Sequence, residues 1–107
     1  MNINDLRINY NKSSINFDDF CSDPKEMFKV WFNEALTLKI SEPNAFVLST
    51  VSEQKIPSSR IVLLKEVNSK GFVFFTNYLS QKSKDINMNP FVSLNFYWPD
   101  LERQVRI

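Results

Sequence analysis

The sequence predicts a single α+β domain, mainly antiparallel β, whose sheet curls toward a barrel. Three observations carry that reading. Apolar residues recur at helical spacing over only one long stretch, Met27 to Leu36, and a period near two takes over after Glu42-Pro43-Asn44. The first three strand-like segments are joined by short polar turns, which makes an antiparallel meander. With 43% apolar residues and ten Phe in 107 residues, the chain can bury one core.

Residues 1–22 are polar, with isolated apolar side chains, and are expected to form a mobile N-terminal arm with at most one helical turn around Asn4 to Tyr10. The domain proper is expected over residues 23–107. Asp23-Pro24 starts a helix, because Asp caps free amides and Pro is tolerated at the first helical position. Met27, Phe28, Trp31, Phe32, Ala35 and Leu36 form its apolar stripe, which favours packing on the protein's own sheet over a partner groove, and the helix should end near Ile40. Ala45 to Val51 predicts a first strand, Ser52 to Pro57 a turn, and Ser58 to Val67 a second strand. After the turn Asn68-Ser69-Lys70-Gly71, the nearly continuous apolar run from Gly71 to Thr76 predicts a third strand buried on both faces. Ser80 caps a short helix to Met88, stopped by Asn89-Pro90. Phe91 to Trp98 alternates, with Val92, Leu94, Phe96 and Trp98 on one side, as in a half-buried strand. Pro99-Asp100 turns the chain into a fifth strand, Leu101 to Ile107. A sheet ending there leaves open edges, to be completed by further residues, by a second copy or not at all.

Composition excludes several functions. Without His, neither a Ser-His-Asp nor a Cys-His nucleophile can be assembled, and a zinc site would lack its commonest nitrogen ligand. No metal site and no catalytic side chain are expected. A net charge of +1 argues against nucleic-acid binding through a broad basic field. Cys21 has no second cysteine to pair with, so a reducing, cytoplasmic setting is expected. Runs such as Ile61 to Leu64 fall far short of the ~20 apolar residues a membrane helix needs, and Met1 to Asn11 lacks a signal core.

Chemistry concentrates in three places. In Ser58-Ser59-Arg60-Ile61-Val62-Leu63-Leu64-Lys65, two cations punctuate an apolar strand, and cations in such a setting want anions. Their odd separation puts Arg60 and Lys65 on opposite faces, roughly 16 Å apart along the strand, so they should not share one phosphate. The plainer alternative is an edge cation paired with Glu66 or Glu102. Second, Phe75-Thr76-Asn77 followed by Ser80-Gln81-Lys82-Ser83-Lys84 sets hydroxyls and lysines at a helix start, either a phosphate cradle or a capped surface helix. Third, Gln104 lies on the opposite strand face from Arg103, where one amide suits a heterocycle edge.

These segments, together with Glu42-Pro43-Asn44-Ala45, Gly71-Phe72-Val73-Phe74-Phe75-Thr76-Asn77, Asn89-Pro90 and Tyr97-Trp98-Pro99 before Leu101-Glu102-Arg103-Gln104-Val105, resemble the pyridoxine (pyridoxamine) 5′-phosphate oxidase family in order and spacing from about Leu6 to Ile107. The resemblance implies an FMN-binding split β-barrel, incomplete at the C-terminus and normally a homodimer. It implies FMN-dependent oxidation of pyridoxamine or pyridoxine 5′-phosphate to pyridoxal 5′-phosphate, with oxygen as acceptor, in vitamin B6 metabolism. By position it assigns Arg60, Ile61, Val62, Leu63, Leu64, Lys65, Phe75, Thr76, Gln81, Lys82 and Gln104 to the flavin, Arg60 on its phosphate. Lys65 is assigned to the substrate phosphate, and Arg7 and Tyr10 to closing over the substrate. Gln81 stands where the family usually has Arg, and Ile8 and Asn9 where basic and acidic residues are common. The family's later strands and its late Arg and His have no counterpart among these residues. The chain therefore reads as a truncated form, expected to self-assemble and to turn over little if at all. Two other readings stay open: a flavin-binding split-barrel protein without activity, and a single-stranded RNA module suggested by Lys70-Gly71-Phe72-Val73-Phe74-Phe75.

Overall fold

The computed structural model describes residues 2–12 and 14–107; Met1 and Ser13, which belong to the expected arm, lie outside the described residues. Helix α1 spans Pro24–Thr37, and the Asp23 carboxylate accepts from the Lys25 amide as the cap reading requires. It stops three residues short of Ile40. No glycine is available there, so Lys39 itself turns left-handed at φ 55°. The Lys39 amide donates to Leu36 O and the Ile40 amide to Ala35 O, which closes the helix end and lays Ile40 on the core.

The strands are β1 Ala45–Val51, β2 Pro57–Asn68, β3 Gly71–Phe74, β4 Ser93–Trp98 and β5 Arg103–Arg106, with helix α2, Gln81–Met88, between β3 and β4. They form one antiparallel sheet in the order β3-β2-β1-β4-β5, so among the described residues β3 and β5 are free edges and the sheet does not close. That position corrects the expectation for β3. As an edge strand it is half-buried along its length, and it ends at Phe74 rather than Thr76. Phe91 and Val92 fall outside β4 and are exposed. β5 begins two residues later than expected, because Pro99–Leu101 makes a tight 3-10 turn and Glu102 follows left-handed at φ 52°.

One sheet face carries the core. Phe46, Leu48, Val62, Leu64, Leu94, Phe96 and Trp98 are buried with Phe28 and Ala35 of α1. The Phe28 ring sits 5.0 Å from both Phe96 and Phe72. The register sets Val47 opposite both Ile61 and Asn95, and Tyr97 opposite Gln104, on the other face, which the described residues leave largely uncovered. Described residues of the arm are fastened to the domain at several points, Lys12 and Phe20 among them. The Lys12 amide donates to the Glu102 carboxylate at 2.9 Å, and Phe20 packs edge-on against Trp31 at 6.1 Å. Trp31 also carries the Arg103 guanidinium 4.6 Å above its ring, and Arg103 pairs with Glu34.

Candidate functional site

Arg60 lies on the half-buried inner side of β2, and its guanidinium is tied to strand β1. Nη1 donates to Leu48 O at 3.2 Å and Thr50 Oγ1 at 2.8 Å, and Nη2 donates to Ser58 Oγ at 2.8 Å. Behind the two hydroxyls stands Asp85 of α2, only 2% exposed. Thr50 donates to Asp85 Oδ2 at 2.8 Å and Ser58 to the same oxygen at 3.4 Å, while Gln81 Nε2 donates to Oδ1 at 2.8 Å. The anion answering Arg60 is thus Asp85, reached through hydroxyls. Neither Glu66 nor Glu102 pairs with it: Glu66 accepts from Asn68 and Glu102 from Lys12.

Hydrogen bonds from Gln81 first, and from Thr50 and Ser58, hold the Asp85 carboxyl below its ordinary value against the opposing effect of burial, with Arg60 adding to the lowering. A depressed folded-state value means stability that is present above the unfolded value and lost as pH falls through the folded one. The stability advantage of the native chain over Asp85→Asn is therefore expected to hold above about pH 4 and to shrink below it, followed by urea melts at several pH values. A difference that stays constant down to pH 2.5 would contradict this assignment of charge.

Burial alternates along β2, with Val62 and Leu64 inward and Ile61, Leu63 and Lys65 outward, which bears out the opposite orientation of Arg60 and Lys65. Lys65 is also the extra residue of a bulge, since the β2–β3 register shifts between Leu64 and Glu66. It lines an open groove of about 320 Å³ with Lys29, Phe32 and Glu66.

The β2 backbone adds a feature that side chains do not reveal. The Leu64 amide donates to Asn44 O at 2.8 Å, which fixes the phase of the β1–β2 ladder. Alternation then turns the N–H and C=O groups of Ser59 and Ile61 away from β1. Pairing with β3 begins only at Leu64, so among the described residues those groups have no partner, and Ile61 is 66% exposed.

Helix α2 reaches the same strands through Asp85, which accepts from Thr50 and Ser58. Ser80 Oγ accepts from the Ser83 amide at 3.3 Å and lies 3.4 Å from Thr76 Oγ1. Phe75 is exposed, Thr76 and Lys82 are half-buried, and Phe75 and Thr76 border a groove of about 340 Å³. Arg7 and Tyr10 border a different hollow of about 580 Å³ with Tyr97. There the Tyr10 phenol, more than burial, pushes Tyr97 above the ordinary tyrosine value. Gln104 faces Tyr97 across the β4–β5 register. The structure therefore joins Arg60 to Gln81 through Asp85, sets Thr76 beside the Ser80 cap of the same helix, and joins Arg7 and Tyr10 to Gln104 through Tyr97. It does not bring the two groups together: β2 and β5 stand three strand spacings apart, about 14 Å.

Thr50 and Asp85 escaped the sequence reading. Their signal was weak: Gln81 and Asp85 at i, i+4 on a polar helix, and Thr50 paired with Ser58 across β1 and β2. The RNA reading loses its platform, because Phe72 and Phe74 turn into the core, 5.0 Å from Phe28 and 5.9 Å from Phe46.

Comparison with known proteins gives a consistent picture. The family model described as pyridoxamine 5′-phosphate oxidase matches residues 32–107. The pyridoxine/pyridoxamine 5′-phosphate oxidase of Actinobacillus succinogenes is 50% identical over all 107 residues, which cover 51% of that protein. The protein of the same name from Burkholderia ambifaria is 53% identical over 96% of this chain and 48% of its own length. The chain thus spans about half the length of the curated relatives it matches. Among solved structures, PhzG from Burkholderia lata 383, in complex with tetrahydrophenazine-1-carboxylic acid, superposes with a TM-score of 0.84 at 26% identity, over 91% of this chain and 50% of that one. A pyridoxamine 5′-phosphate oxidase-related, FMN binding protein from Nostoc punctiforme shares the fold with a TM-score of 0.69 at 18% identity, over 79% of this chain and 45% of its own.

Proposed function

Because the chain belongs to the pyridoxamine 5′-phosphate oxidase family, we propose that it holds FMN and takes part in oxidising pyridoxamine or pyridoxine 5′-phosphate to pyridoxal 5′-phosphate. The observation that carries this reading is the bare β2 edge at Ser59 and Ile61 lying on the same strand as Arg60. Unpaired backbone donors and acceptors in a row suit the edge of a planar heterocycle, which carries both kinds of group. Three contacts occupy Arg60, so two of the five guanidinium N–H groups remain for a phosphate. Lys82, Thr76 and the first amides of α2 supply further donors. Among the described residues these groups fit a phosphorylated flavin.

Bound flavin would supply the redox chemistry, accepting a hydride equivalent from the substrate carbon that bears the amine or alcohol and passing electrons to oxygen. The chain's own side chains bind and orient. Lys65 would hold the substrate phosphate, with Lys29 beside it in the same groove. Arg7, Tyr10 and Gln104 would act at the Tyr97 side, where Arg7 and Tyr10 line one hollow with that ring. Gln81, in place of the family's usual Arg, donates to Asp85 and adds no charge. A homodimer is part of the proposal, supported by the exposed Ile61 and Tyr97 on the uncovered sheet face. Among the described residues no helix is long and apolar enough to cross a membrane. The lone, exposed Cys21 accords with the cytoplasmic setting proposed here.

The test is retention of flavin. After mixing with FMN and gel filtration, the protein is expected to carry flavin absorbance, and Lys82→Ala to weaken binding by about tenfold or more. A protein peak free of flavin would overturn the reading. Flavin binding without turnover is the second reading, favoured by the separation of the Arg7, Tyr10 and Gln104 group from Arg60. It predicts bound FMN and no oxygen consumption with pyridoxamine 5′-phosphate.

A further inference from the structure

We propose that Asp85 is a positioning residue that sets the guanidinium of Arg60 for an anionic ligand, acting through the hydroxyls of Thr50 and Ser58. This rests on the reading that Arg60 holds the flavin phosphate. Among the described residues Asp85 is the one charged side chain in the buried set, and the flavin chemistry makes no use of it. Its geometry explains its presence. A hydroxyl has a single proton, and those of Thr50 and Ser58 are both directed to Asp85 Oδ2, at 2.8 and 3.4 Å. Each hydroxyl is then obliged to present lone pairs to Arg60, which donates to them at 2.8 Å in each case. The carboxylate thereby orders both hydroxyls as acceptors, and they fix the plane of the guanidinium. Gln81 donates to the other carboxylate oxygen at 2.8 Å and so helps hold the acid in its orientation. A direct ion pair would cancel the guanidinium charge that attracts a phosphate; the relay keeps a hydroxyl between the two groups and still leaves two N–H donors available.

An amide in place of the carboxylate loosens this order: Gln81 can turn its own amide to meet the new NH₂, but the single neutral carbonyl oxygen left to Thr50 and Ser58 accepts more weakly than a carboxylate oxygen and no longer holds both hydroxyl protons. Three measurements on the full chain test the idea. In ligand-free protein, the Arg60 Nη resonances are expected to be resolved by restricted rotation and to merge in Asp85→Asn. FMN affinity is expected to fall about tenfold in Asp85→Asn, while riboflavin, the same ring without a phosphate, binds unchanged. Asp85→Asn is expected to cost nothing further in an Arg60→Ala background, since the residue acts only through Arg60. Thr50→Val, which removes the relay hydroxyl and keeps the acid, gives the same pattern and serves if Asp85→Asn fails to fold. Unchanged Nη resonances in both variants, or equal losses for FMN and riboflavin, overturn the proposal. If the resonances merge but Arg60→Ala leaves FMN affinity intact, the positioning role stands and the assignment of Arg60 to the flavin phosphate fails.

Discussion

Trp98→Ala is expected to lower the thermal midpoint by about 12–20 °C, the largest stability loss of any single side chain in the domain. Trp98 is 1% exposed and closes the core where α1 crosses β4. Its ring lies 6.0 Å from Phe96, 6.1 Å from Phe28 and 6.4 Å from Phe32, and its Nε1 donates to Pro43 O at 3.0 Å. Truncation leaves a cavity the surrounding rings cannot fill, costing about 3–5 kcal/mol, and strands a carbonyl at the start of β1. Against a total stability of about 5–15 kcal/mol, that leaves a population close to unfolding at 37 °C. Trp98→Phe keeps most of the packing and loses the hydrogen bond, so it should cost only about 1–2 kcal/mol. Calorimetry on the pair measures the two contributions; a Trp98→Ala midpoint within about 5 °C of the native chain would show that the core repacks.

The second large effect separates two cations by ligand. Arg60→Ala is expected to weaken FMN binding by about 10- to 150-fold, from loss of about 1.5–3 kcal/mol of charge-assisted hydrogen bonding, and to affect pyridoxal 5′-phosphate little. Lys65→Ala should do the reverse. The physical ground is the strand between them. Arg60 is held inward in the Asp85 network, whereas Lys65 sits on the bulge, outward, in the groove with Lys29. Paired titrations of both ligands against both variants decide the matter. Equal losses for both ligands would mean that the two cations converge on one anion.

Features written in local chemistry were legible before the structure. The α1 start follows from Asp23-Pro24, β1 has the expected bounds, Ser80 caps α2, and Leu94, Phe96 and Trp98 do share the buried face. In each case the deciding interaction spans at most a few residues, so composition and period suffice. What stayed hidden depends on partners far along the chain. Whether a Phe-rich strand is central or at an edge is decided by strand order, and β3 turned out to be the edge. The bulge at Lys65 is a mismatch between two strands and leaves no mark on either alone. The ends of α1 and the start of β5 rest on left-handed Lys39 and Glu102, residues whose type gives no hint of that conformation. Asp85 was invisible for the same reason: its acceptors are filled from β1, β2 and α2 at once.

The unpaired edge of β2 also bears on how the protein behaves in a concentrated solution. A row of free backbone groups is a template for any other extended chain, and such templates nucleate fibrils and misassembled oligomers. Here the hazard is bounded at both ends. Pro57 opens the strand without an amide proton, and the bulge at Lys65 bends the other end and sets a charge on it. An intruding strand finds only the short reach between them, about 20 Å, and must lie over Ser59 and Ile61 alone. The same two residues that would let a small planar molecule dock thus sit between two barriers to polymerisation, so the chain can leave an edge bare without inviting a neighbour to extend its sheet.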